Sequence, residues 1–143
     1  MQPIMTAAEV TAFLDREFPQ MQRLGRIFEV VSIAPGEAEV RLDANEAHLR
    51  PGGTVSGPTL FSLADVGAYV VVLAHIGPVA LAVTSHVSIN FLSKPPPGPL
   101  IAHCRILRLG KRTAVTEIGI AAEGSEELVA HATATYAIPS KVP

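Results

Sequence analysis

Cysteine is nearly missing from this chain, with Cys104 the single one. No intrachain disulfide can form, which fits a reducing compartment, and no Cys/His spacing suggests a zinc site. Charge is sparse as well. Asp, Glu, Lys and Arg make up 17% of residues and the formal net charge is −2, so nothing points to nucleic acid or another polyanion as partner. The opening Met1-Gln2-Pro3-Ile4-Met5-Thr6 has no basic region ahead of an apolar core. It does not read as a signal peptide, and a cytoplasmic protein is the expectation. A glycine loop closing on Lys-Ser/Thr is absent, and Gly53-Thr54-Val55-Ser56-Gly57 lacks the glycines a nucleophile elbow needs on each side of its serine. Also missing is the uninterrupted run of about 20 apolar residues that a membrane span requires. From Val66 the apolar run ends at Ala74, before His75, Gly77 and Pro78, and Asp65 precedes it.

What is present is grease: 48% of the 143 residues are hydrophobic. That length suits one domain over residues 1–143 with a real core. So apolar a composition in a small chain suggests surface buried against another copy. The central stretch, residues 56–76, reads as one long helix. Gly57 suits its N-cap and Pro58 its first turn, and Gly77-Pro78 stops it. Leu60, Phe61, Leu63, Val66, Tyr69 and Val70 to Leu73 leave no polar stripe, as in a helix buried on all sides. Asp65 is the lone carboxylate in this run. It must be paired, solvated in a cavity or shifted in its titration, so it is the first place to look for chemistry.

The remaining elements follow from periodicity. Thr6-Ala7-Ala8-Glu9 is a capping box that starts a short amphipathic helix carrying Val10, Phe13, Leu14 and Phe18 and ending near Pro19. Residues 26–33 and 37–42 read as two strands joined at Ala34-Pro35-Gly36, with Val31, Ile33, Val40 and Leu42 as apolar positions. Residues 43–54 form a loop. Four strands follow at 80–92, 100–109, 113–122 and 127–138, the first two separated by Pro95-Pro96-Pro97-Gly98-Pro99. On the last strand Leu128, Ala130, Ala132, Ala134, Tyr136 and Ile138 share a face that the long helix could approach closely. The order α-β-β-α-β-β-β-β with short turns predicts an α+β fold, an antiparallel sheet with one helix laid across it.

An antiparallel sheet wrapped around one long central helix is the hotdog fold. Ser56-Gly57-Pro58 followed by Leu63-Ala64-Asp65 resembles the helix signature of acyl-CoA thioesterases of the phenylacetic-acid-degradation type, a His-Gly-Gly followed by Leu-Ala-Asp. Residues 83–92 and 128–135 resemble that family's strand after the helix and its last strand. This chain departs from the pattern at three places: Ser56 stands for the family's His, Pro58 for its second Gly, and Arg50 for a frequent Asn.

The resemblance implies hydrolysis of a small or medium acyl-CoA, with coenzyme A as part of the substrate and no separate cofactor or metal. The matching Asp, here Asp65, acts in the family as nucleophile or general base. A partly desolvated carboxylate in an apolar cleft is more reactive than a hydrated one. The N–H groups of Gly57, Thr59 and Leu60 point out of a helix N-terminus and would stabilise the oxyanion of a thioester carbonyl. Ser56 and Thr84 are hydroxyl candidates; Arg50, Lys111 and Arg112 could meet coenzyme A phosphates. Asp65 follows Gly57 by eight residues, about 12 Å along the axis and turned by about 80°. One carbonyl would not easily touch both in one chain. Two antiparallel helices across a homodimer would join them, as family members do, and pairs of dimers could form a tetramer. A non-catalytic acyl-CoA-binding hotdog module is the alternative, favoured by the missing His and Asn. Dehydratase chemistry finds no His–acid pair here.

Overall fold

The structure, a computed structural model, describes residues 1–22 and 27–140. Thr6 caps the first helix, α1 (Ala7–Glu17), through the expected reciprocal pair: Glu9 N–H donates to Thr6 Oγ1 and Thr6 N–H to Glu9 Oε1. A 3-10 turn, Pro19–Gln22, follows. Strands β1 (Phe28–Ala34) and β2 (Glu37–Asp43) form a hairpin over Pro35-Gly36, where Gly36 takes a φ of +72°. The predicted strand start at residue 26 lies outside the described residues. A short 3-10 turn, Glu46–His48, leads to the long helix α2 (Gly57–Ile76). Then come β3 (Val83–Phe91), β4 (Pro99–Leu109), β5 (Thr113–Ala122) and β6 (Leu128–Ala137).

All six strands form one antiparallel sheet in the order β1-β2-β4-β5-β6-β3. The strand that directly follows α2 therefore sits at the far edge from the hairpin that precedes it, and α2 spans the sheet between them. By length and composition α2 could cross a bilayer, but most of it is buried inside the protein. The hotdog architecture expected from the sequence is the one observed.

Helix and sheet approach closely at Gly67. A Cβ there would stand 2.5 Å from Cys104 Sγ on β4, so only a hydrogen fits. Cys104 is fully buried, and that burial raises its thiol pKa far enough to keep it protonated. At the far end of α2, Gly77 closes the helix with a φ of +98° and an N–H donated to Leu73. Two residues earlier, His75 Nε2 accepts the Gly36 N–H at 2.8 Å and its Nδ1 meets the Val71 carbonyl at 2.8 Å, tying α2 to the β1–β2 turn.

Four local expectations need correction. The N-cap of α2 is Ser56, not Gly57; Gly57 and Pro58 lie inside the first turn, because a serine oxygen can accept a backbone N–H and glycine cannot. The helix is not buried on all sides: Pro58, Phe61 and Ser62 are exposed along one face of its first turns. Val31 points outward, because a bulge between Val30 and Ser32 inserts one residue and reverses the alternation. Leu128 likewise leaves the alanine face of β6 at an irregularity opposite Ile120 and Ala121, and folds over Gly119 instead.

Candidate functional site

The first turn of α2 is held by a closed set of hydrogen bonds. Ser56 Oγ accepts the Thr59 N–H at 3.3 Å and lies 2.8 Å from Thr59 Oγ1, which donates to the His48 carbonyl at 3.3 Å. The same carbonyl accepts the Ser56 N–H at 2.8 Å, and the Leu60 N–H goes to the Ser56 carbonyl at 3.2 Å. Both hydroxyls are thus engaged in capping. Of the three N–H groups proposed as oxyanion donors, those of Thr59 and Leu60 are already taken. The Gly57 N–H alone has no acceptor among the described residues, and Pro58 offers none. The ring of Phe91, the last residue of β3, lies against this glycine. Three of its carbons come within 3.4–3.7 Å of where a Gly57 Cβ would be.

Two turns further on is Asp65, half-buried on an otherwise apolar helix. Thr84 Oγ1, from β3, donates to its Oδ1 at 2.6 Å, and the Tyr136 hydroxyl, from β6, reaches the same oxygen at 2.9 Å. The Tyr136 hydroxyl also lies 3.1 Å from the Asp65 carbonyl. Oδ2 has no partner among the described residues. Asp65 also lines a cleft of ≈ 390 Å³ along the open face of α2, with Thr59 and Ser62 beside it and Phe18, Phe28 and Leu42 opposite.

Tyr136 is buried and stacks on Tyr69, with ring centroids 5.8 Å apart and planes at 15°. The Tyr69 hydroxyl donates in turn to the Ala80 carbonyl at 2.9 Å. Burial, with the Asp65 charge second, drives the Tyr136 phenol well above its ordinary pKa, so it remains a donor.

The sequence-predicted residues therefore fall into separate groups. Asp65 and Thr84 are brought together. Ser56, Gly57 and Thr59 share the start of α2, and Arg50 is exposed in the loop before it. Lys111 and Arg112 lie in the β4–β5 turn, around a cleft that includes His75 and Ile76, at the opposite end of α2 from Gly57; the Arg112 Nε donates to the Ile138 carbonyl at 3.1 Å. Sequence reasoning missed Tyr136 as a site residue. The available signal was a lone phenol on an alanine face, whose hydroxyl must find an acceptor once buried.

Comparison with known proteins adds three relatives. The family model described as Thioesterase superfamily matches residues 52–135. A crystal structure from Silicibacter sp. TM1040, provisionally named a thioesterase, is 45% identical with a TM-score of 0.88, covering 98% of this chain and 96% of that one. A protein of Saccharolobus solfataricus, provisionally named an esterase, is 31% identical over 95% of this chain and 87% of its own length. The Escherichia coli PaaI protein of the phenylacetic acid degradation operon is 25% identical with a TM-score of 0.78, each chain covered to 94%.

Proposed function

Since the chain belongs to the Thioesterase superfamily, and so is a thioester hydrolase of the PaaI-like hotdog type, we propose that it hydrolyses small or medium acyl-CoAs. In this reading Asp65 of one copy acts on a thioester carbonyl that the Gly57 N–H of a second copy polarises. The observation that carries it is the division of labour on one carboxylate: Oδ1 is fixed by Thr84 and Tyr136, and Oδ2 has no donor among the described residues.

Acting as general base, Oδ2 takes a proton from water as the water oxygen bonds to the carbonyl carbon. The electron pair of the C=O moves onto oxygen, facing the Gly57 N–H and the positive end of α2. When that pair returns, the C–S bond breaks, and the departing thiolate takes the proton from Asp65 to leave as free coenzyme A. Acting as nucleophile, Oδ2 would instead bond to the carbon itself and break the C–S bond, expelling the coenzyme A thiolate and leaving an anhydride; water opens the anhydride to the two acids, and Asp65 gives up its proton to the thiolate. In a single turnover in ¹⁸O-water, label in the Asp65 side chain identifies the second path with water attacking the Asp65 carbon, because the general-base path never places label there.

The second copy is needed because about 12 Å of helix separates Gly57 from Asp65. β3 is the edge strand that would bring it in. Its outer side is unpaired among the described residues, and Leu81, Val83, Phe91 and Leu92 on or beside it are all more than half exposed. An unpaired apolar edge of this kind is a template for another strand. A two-fold axis through Val87, the midpoint of β3, would set Phe91 of the second copy beside Val83. The Gly57 under that ring would then approach Thr84 and Asp65. Pairs of such dimers are the proposed larger assembly. Arg50, exposed in the loop ahead of Ser56, is the cation assigned to the coenzyme A phosphates; Lys111 and Arg112 lie at the other end of α2.

The test is a panel of acyl-CoAs with a free-thiol readout. Asp65→Asn is expected to lower kcat/KM by at least about 10²-fold with the fold intact by circular dichroism, the scale of losing a positioned acid–base group. Turnover by Asp65→Asn equal to the parent on every substrate would remove Asp65 from the mechanism.

A further inference from the structure

We propose that Phe91 decides how much bulk next to the thioester carbonyl this site accepts. The inference rests on the reading just given, with the reacting carbonyl oxygen on the Gly57 N–H.

Gly57 is the one donor of the α2 first turn without an acceptor among the described residues, and the three heavy atoms nearest its would-be Cβ, beyond its chain neighbours, all belong to the Phe91 ring. The ring sits at the end of an edge strand and is 52% exposed. With Leu92 next to it 56% exposed, it makes an apolar surface that gains by being covered. A carbonyl oxygen that accepts from the Gly57 N–H must lie about 2.7–3.1 Å from that nitrogen. Its carbon is about 1.2 Å farther along the C=O bond. The two substituents of that carbon then fall within reach of a ring that stands at van der Waals distance from where a Gly57 Cβ would be. One is the sulfur arm, which must run outward to carry a long polar nucleotide. The other is the apolar acyl group, which gains by covering the exposed ring. The acyl carbons next to the carbonyl therefore rest on Phe91, and the ring limits branching there.

The test compares a straight-chain substrate, butyryl-CoA, with a branched one, pivaloyl-CoA, on the same enzyme preparation. The ratio of the two kcat/KM values is independent of how much of each variant is folded. Phe91→Ala is expected to shift the ratio toward the branched substrate by about tenfold, the scale of one or two methyl groups in a pocket. Phe91→Trp is expected to shift it the opposite way. Ratios within about twofold of the parent in both variants would overturn the assignment, even if overall activity or sedimentation behaviour changed. Such a result would leave Phe91 as interface packing alone. If the parent hydrolyses neither these nor any other acyl-CoA, the functional reading falls first and Phe91 with it. That outcome is distinct from a parent that turns over with an unmoved ratio.

Discussion

Asp65 sits where a charge is costly, and the side chains that offset the cost also orient it. A carboxylate with one oxygen held by two hydroxyls loses rotational freedom and presents the other oxygen in a fixed direction. Tyr136→Phe tests this without disturbing the stack on Tyr69, since only the hydroxyl goes. We expect kcat to fall about tenfold with KM little changed, and stability to drop by about 1 kcal/mol from the lost hydrogen bond. Steady-state thiol release and thermal melting measure the two. Unchanged kcat in Tyr136→Phe would mean the hydroxyl only fills space. At Thr84, serine is expected to keep most activity and valine, of the same shape without the donor, to lose it. Asp65 was legible from sequence because a lone charge on an apolar helix stands out. Thr84 followed from the family's strand pattern. Tyr136 did not, because its role depends on β6 lying next to β3, a pairing between residues 136 and 84 that no local periodicity encodes.

At the scale of the element, α2 is read well in the middle and less well at its start. Its length, its stop at Gly77 and its burial follow from composition. Its N-cap does not: Ser56 and Gly57 both suit that position, and the choice is made by the Thr59 N–H and the His48 carbonyl, which bind the serine. The outward turns of Val31 and Leu128 fail for a related reason. A single inserted residue flips a strand's faces, and it is visible only in the partner strand's register. Gly67 is a tight position of the helix, and its hydrogen is what allows α2 to lie on Cys104. Gly67→Ala forces either the helix or β4 to shift, at an expected cost of about 1–3 kcal/mol. Adding Cys104→Ala should recover most of that loss, because the sulfur is the obstructing atom. Chemical denaturation of the two singles and the double gives the coupling directly. Additive losses would show that the strain lies elsewhere.

For the whole molecule, hairpin turns in the sequence announce antiparallel neighbours but not the order of the sheet. β3 could in principle follow β2; instead β4 takes that place and β3 closes the opposite edge beside β6. That order puts Thr84 next to Asp65, and it also leaves Val83–Phe91 as an unpaired border. The two consequences are linked, and one substitution examines both. Val87 is partly buried at the centre of β3. A lysine there can extend its stem past the edge while its charge opposes strand pairing, the device natural edges use. Val87→Lys should sediment as a single chain at concentrations where the proposed dimer of the parent forms. Its far-ultraviolet circular dichroism should be unchanged and its thiol release reduced at least tenfold, since Gly57 and Asp65 would then face no second copy; one inserted charge against an interface costs several kcal/mol. If the variant is monomeric and fully active, Asp65 works with a donor from its own chain. If the parent itself is a monomer, the apolar edge has some other cover, and the distance along α2 must be bridged by the substrate alone.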